Sequence, residues 1–257
     1  MKKILLTILE IVLIIRIIFS AYKLYTYFSD LNSSKNQYNE VNDIISGIRN
    51  KSGNSKINLG EVKDEDKYQS IEIFKELKKL NSDIIGYLEV EGLPIEYPVV
   101  QAEDNDYYLR RDLNEEYSVP GTVFMDYRND PKMTDQNVVI YGHNMNNDTM
   151  FGSMDKLGNQ EFVDNNGENF IRYTTDHGIF VYKIISYFQV TDTYDYRTPN
   201  VSDEEWIEFL NKTNSMSETD FGVDLKFDKD TKILTLSTCA DDTNYRNVVQ
   251  AIFVEKY

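Results

Sequence analysis

Apolar and polar residues alternate with three different periods along this chain. From Ile4 to Ala21 the residues are apolar with only Glu10 and Arg16 as charged interruptions, and Tyr22, Tyr25, Tyr27 and Phe28 extend the run. Residues 29–63 are polar, rich in Asn, Ser, Lys and Gly, with one short helical pattern over Asn39–Ile48. Tyr68, Ile71, Phe74, Leu77 and Leu80 then recur every third residue, which predicts a helix that Asn81-Ser82-Asp83 ends. Beyond it the period falls to two. Strands are predicted at Ile85–Val90, Ile95–Gln101, Thr122–Tyr127, Val138–His143, Phe170–Thr174, Ile179–Val190, Ile233–Cys239 and Asn247–Glu255, separated by Gly, Asn and Asp turns. Eight short strands at this spacing predict a closed barrel or a sandwich. The long connection from Thr191 to Thr231 carries a predicted helix over Asp203–Asn211. Ser202 is its N-cap, Glu205 stands three residues on, and Trp206, Phe209 and Leu210 form its buried side.

The first run is long enough to cross a bilayer. Its large apolar residues contribute about -0.5 kcal/mol each on an insertion scale, against up to about 3 kcal/mol for each of the two charges, so insertion is favoured by a narrow margin. Phe19-Ser20-Ala21-Tyr22 is a poor cleavage site, which favours an uncleaved signal anchor. Lys2 and Lys3 then stay in the cytoplasm and the rest lies outside the cell membrane. The division expected is a cytoplasmic stub and anchor over 1–28, an extracellular stalk over 29–63 and a catalytic domain over 64–257. The competing reading of the first run is an amphipathic helix on the membrane or packed on the protein.

Composition narrows the chemistry. Acidic residues outnumber basic ones 43 to 27, a net charge of -16 that repels phosphate backbones and argues against nucleic-acid binding. One cysteine permits no intrachain disulfide and no Cys-based zinc cluster. With two histidines, a His-rich metal site is not expected, and no metal or other cofactor is assigned.

The candidate chemistry falls at strand ends. Ile233 to Thr238 lead to the thiol of Cys239, a polar turn follows, and Arg246 opens the last strand. Val138 to Gly142 lead to His143. A thiolate is a nucleophile, an imidazole can take its proton and return one to a leaving amine, and a guanidinium can donate to an oxyanion. The inert alternatives are a buried cysteine and a structural histidine. An extracellular chain that keeps one unpaired thiol favours the reactive reading. His177, in the turn Thr175-Asp176-His177-Gly178, reads as a surface residue.

Thr235-Leu236-Ser237-Thr238-Cys239 with Arg246 seven residues on resembles the TLxTC…R signature of sortases, membrane-anchored cysteine transpeptidases of Gram-positive bacteria. Tyr141-Gly142-His143-Asn144-Met145, continuing to Met150-Phe151, and Gly121 to Arg128 resemble segments of class B sortases. The resemblance runs from about Ile71 to Tyr257. It implies a mainly β fold, an eight-stranded sortase barrel with an N-terminal helical cap and a helix inserted between late strands. It implies cleavage of a sorting motif, NPxTN-like or (N/S)PxTG-like, after its threonine on a secreted protein. A Cys239 thioester would then pass to a peptidoglycan amine, from a precursor or a crossbridge. His143 would be the acid/base and Arg246 the oxyanion or positioning group. Ser237, Thr238, Asn144 and Asp241 are the further substrate-binding candidates. A hydrolytic cysteine peptidase on the same scaffold and a non-catalytic surface binding domain are the alternatives.

Overall fold

A computed structural model describes residues 2–51, 63–239 and 244–257, with Cys239 described through its backbone. Eight strands close into a barrel: β1 (Ile84–Val90), β2 (Ile95–Val100), β3 (Phe124–Met125), β4 (Asn137–Tyr141), β5 (Phe170–Thr175), β6 (Gly178–Thr191), β7 (Ile233–Cys239) and β8 (Tyr245–Lys256). Their order around the barrel is β1-β2-β3-β4-β7-β8-β6-β5, with β5 returning to β1. The β2/β3 and β4/β7 pairs are parallel and the others antiparallel. The barrel, rather than the sandwich, is therefore the architecture. Side chains alternate across each strand. On β7, Leu234 and Leu236 enter the main core with Val138, Ile140, Val249 and Ala251. Ile233, Thr235 and Ser237 take the opposite face, where Ile233 meets Trp206.

Two expectations about strands are corrected. β3 pairs over two residues instead of Thr122–Tyr127, because flanking backbone is engaged elsewhere: Thr122 N–H bonds Tyr108 O, and Asn129 N–H closes a turn onto Asp126 O. β4 ends at Tyr141, so His143 lies beyond the strand.

The helices differ more from expectation. α1 (Lys2–Lys51) is one continuous helix. Its apolar first half is exposed and is long and apolar enough to cross a membrane. The expected stalk does not hold over 34–48: Ser34, Val41, Ile45 and Ile48 are buried, and half-buried Tyr38 packs against the barrel core. Their spacing of four and three residues is one face of a helix, hidden in a polar stretch. Of the expected stalk, 52–62 lie outside the described residues.

α2 (Asp64–Leu77) starts at an acidic first turn, where Asp66 accepts from the Lys63 N–H at 3.2 Å. Its buried face runs through Asp66, Gln69, Ser70, Ile73, Phe74 and Leu77, and Tyr68 is exposed. Residues three apart fall about 60° short of a full turn each time, so the every-third pattern swept around the helix. α1 and α2 share a second core with Ile84, Tyr87, Val100, Tyr108 and Phe124. α3 (Gln160–Asn165) is short and N-capped by Asn159. α4 (Asp203–Ser215) begins as expected, with Glu205 accepting from both N–H and Oγ–H of Ser202. Trp206 and Leu210 are buried and Phe209 is partly so, and the Trp206 indole donates to Thr231 O at 2.8 Å.

Candidate active site

Strand register pairs two of the chemistry-bearing positions and brings the strand leading to the third alongside them. Tyr141 of β4 pairs with Ser237 of β7, and Ser237 pairs with Val248 of β8. β4 and β7 run parallel and β8 runs against them. Two residues on in the same direction stand Cys239 on β7 and Arg246 on β8, with His143 two residues past the end of β4. Cys239 and Arg246 are direct cross-strand partners, and Gly142 N–H to Ser237 O (3.2 Å) carries the β4–β7 ladder toward His143.

His143 is held from both sides. Its backbone carbonyl accepts from Phe151 N–H at 3.0 Å, and Asn144 bridges to Met150, closing a loop whose far end is tied to β2 by Met150 N–H to Tyr97 Oη at 2.9 Å. Gly142 is required by a close approach: a Cβ there would stand 2.8 Å from the Phe151 ring. The imidazole Nε2 lies 2.8 Å from Leu109 O. A carbonyl only accepts, so Nε2 carries the hydrogen and Nδ1 is the basic atom of the neutral ring. Burial, followed by the positive charges of Arg110 and Arg246, holds the ring below its ordinary value of 6.5, while the Leu109 bond opposes them.

Leu109 belongs to a 3-10 turn, Tyr108–Arg110. Buried Tyr108 ties it to the end of the helical cap, donating to Asp83 Oδ2 at 2.8 Å and accepting from Asn81 Nδ2 at 3.0 Å. The cap therefore sets where the histidine's acceptor sits.

A cleft of about 240 Å³ opens at this site. It is lined by His143, Arg246, Ser237 and Thr238, and by Leu109, Tyr141, Tyr196 and Arg197 among others. Ser237 is 2% exposed and its Oγ is 2.7 Å from Tyr196 Oη. Thr238 is buried as well, on the alternate face of β7. Asn144 lies in the loop after His143 and is not among the residues lining this cleft. Asp241 falls outside the described residues. His177 is exposed in the two-residue turn between β5 and β6, as expected.

Sequence reading missed the walls. Leu109, Tyr196 and Arg197 lie in stretches with no strand or helix period, and nothing local marks them. Asn105 and Asp106 also line the cleft, and Asn105 bonds Asp126, a buried carboxylate directly after β3. Among the described residues no group of His, Cys, Asp and Glu could hold a metal ion.

A family model described as Sortase domain matches residues 88–254. Sortase B of Staphylococcus aureus (strain NCTC 8325 / PS 47) is 30% identical over 257 residues, covering 97% of each chain. The solved S. aureus sortase B–substrate complex superposes with a TM-score of 0.72 at 26% identity, over 88% of this chain and 99% of that one. A crystal structure of sortase B complexed with triglycine gives 0.71 at 27%, over 87% and 98%. On the matching family model, the similarity along nearly the whole chain and the shared barrel, this chain belongs to the sortase family and is a cysteine transpeptidase of the sortase B kind.

Proposed function

We propose that Cys239, His143 and Arg246 carry the transpeptidation. The observation that supports this most is the register that opposes Cys239 of β7 to Arg246 of β8, beside the β4–β7 pairing that leads to His143. The substrate class is a sorting-signal protein and the acceptor a cell-wall amine. The Cys239 thiol gives its proton to Nδ1 of neutral His143, and the thiolate attacks the carbonyl carbon of the motif threonine. The peptide bond after that threonine breaks, its nitrogen takes a proton from protonated His143, and a thioester remains on Cys239. An incoming amine adds to the thioester and loses a proton to Nδ1 of His143, and the thiolate departs as the new amide forms. Arg246 donates to the oxyanion of each tetrahedral intermediate or fixes the carbonyl for attack.

The environment of His143 fits this cycle. Its depressed pKa keeps the ring neutral near pH 7, in the form that can accept a proton from thiol or amine. The Leu109 carbonyl fixes the tautomer. Ser237 and Thr238 serve the sorting peptide as part of the cleft wall, and Asn144 and Asp241 remain candidates from the resemblance. NPxTN-like and (N/S)PxTG-like motifs are the first to test. The triglycine complex of a relative makes triglycine the first acceptor to try.

The exposed apolar half of α1 is the proposed single-pass anchor, with Lys2 and Lys3 cytoplasmic and the barrel outside. Residues 64–257 form the catalytic domain, to which the second half of α1 adds a docked helix.

Cys239→Ala tests the covalent step: it is expected to abolish cleavage and transfer in a folded protein, and residual transfer contradicts the thioester. Arg246→Lys tests the planar fork of donors, since a point charge does not replace it. Most of the rate should be lost, and near-normal activity would mean that charge alone suffices.

A further inference from the structure

Asp126 is a fully buried carboxylate that the proposed chemistry does not use. Five donors converge on it. Oδ1 accepts from Arg128 N–H and Nε at 2.9 Å each, and Oδ2 accepts from Arg128 Nη2 at 2.8 Å, Tyr141 Oη at 2.7 Å and Asn105 Nδ2 at 3.1 Å. Such a carboxylate is stable as an anion inside the protein because its lone pairs are taken by charged and polar donors. Burial acts against it, and the Arg128 and Tyr141 bonds outweigh that and hold its pKa below the ordinary value.

The donors come from separate walls of the cleft. Asn105 lies in the segment before the Tyr108–Arg110 turn, and Tyr141 ends β4 two residues before His143. Arg128 Nη2 also donates to Arg197 O at 3.0 Å, in the connection between β6 and α4. Arg197 lines the same cleft and lies over the Tyr196 ring at 5.3 Å, and Tyr196 is the partner of Ser237. Asn105, Tyr141 and Arg197 are far apart in sequence and share one charged hub.

From this geometry we infer that the Asp126–Arg128 pair is a positioning element for the sorting peptide, fixing the separation of the cleft walls formed by Asn105, Tyr141 and Arg197. It acts through those residues, to which its hydrogen bonds run. The inference rests on the transpeptidase reading of the cleft. Its distinguishing consequence is that loosening the pair weakens peptide binding without changing the reactivity of the thiol.

The test uses the full chain in detergent, NPxTN-like and (N/S)PxTG-like peptides as donors, and triglycine as acceptor. Asp126→Asn removes the charge, and Arg128→Lys keeps it but removes the fork and the link to Arg197 O. Both are expected to raise KM for the peptide about tenfold or more with kcat changed less than about threefold, the pattern of lost positioning on binding. Iodoacetamide labelling of Cys239, which needs no peptide, should proceed at the unmodified rate. If Asp126→Asn does not fold, Arg128→Lys decides, because its side chain is 38% exposed and can solvate. Unchanged KM in the folded variants overturns the inference, and so does an equal fall in peptide turnover and iodoacetamide labelling. Absence of turnover in the unmodified protein overturns the proposed function, and this inference with it.

Discussion

Gly142→Ala is the sharpest probe of how His143 is held. A Cβ at this position would meet Phe151 Cγ, Cδ2 and Cδ1 at 2.8, 2.9 and 3.0 Å. Carbon atoms pack at about 3.5–4.0 Å, so the methyl arrives about 0.5–1 Å too close to three ring atoms at once. Phe151 is fully buried and cannot turn away into solvent. Relief must come from the 142–143 backbone, which lies at the free end of the ladder beyond β4. Overpacking of this kind costs about 1–3 kcal/mol. At about 2–4 °C per kcal/mol for a chain of this size, the melting midpoint should fall by about 2–12 °C. The larger effect is on rate, because a shift approaching 1 Å in a catalytic group costs about 100-fold. Peptide-to-triglycine transfer and scanning calorimetry read both. Phe151→Leu in the same chain should restore part of the loss, with a coupling of at least about 0.5 kcal/mol between two touching residues. If Gly142→Ala leaves kcat/KM within about threefold and the midpoint unmoved, the close approach does not position the histidine.

Other outcomes follow from burial and charge. His143 titrates below 6.5 in the folded state, so the unfolded chain binds its proton first and this histidine's contribution to stability falls as pH drops below about 6.5. Denaturant titrations of the unmodified protein and His143→Gln should differ by that slope, and identical slopes would refute the depressed value. Glu89 is the opposite case. Burial raises its carboxyl from 4.5 to about 6 against the pull of Arg172 and Arg49, so its contribution is present below pH 4.5 and lost as pH rises through about 6. Glu89→Gln should remove that descending limb, and its persistence would place the titration elsewhere. Ile45→Ala, on the docked half of α1, should cost about 2–5 kcal/mol in denaturant unfolding. It should leave the KM for peptide unchanged, and a loss of less than about 0.5 kcal/mol would mean that the docking is not stabilising.

What could be read in advance followed from periodicity that packing respects. The strands of the barrel alternate because one face is core, so Leu234 and Leu236 marked β7 directly. Trp206 and Leu210 marked α4 for the same reason. The second half of α1 showed in sequence only as a short helical pattern over Asn39–Ile48, and its docking is hidden because its buried face includes Ser34 and Tyr38 within an Asn- and Lys-rich stretch. There the spacing, rather than the apolar content, carries the signal. α2 was found but rotated, since spacing by three drifts around a helix. Of the proposed site, Cys239, His143 and Arg246 are legible as residues at or just past predicted strand ends within a recognisable signature. The approach of the His143 segment to β7 depends on the parallel pairing of β4 with β7, which no local pattern encodes. The cleft walls were invisible for a different reason. Leu109 acts through its backbone carbonyl, and Asn105, Tyr141 and Arg197 are joined by Asp126 and Arg128 only once the barrel has closed.

The most direct test of the central claim is the intact mass of the protein incubated with sorting peptides of both motif types, with and without triglycine. A mass gain equal to the peptide through its threonine, mapped to Cys239 and lost when triglycine is added with release of the peptide–triglycine conjugate, is the result expected. A readily labelled thiol that gains no adduct from any peptide, or an adduct that water resolves as fast with triglycine as without it, would contradict the account.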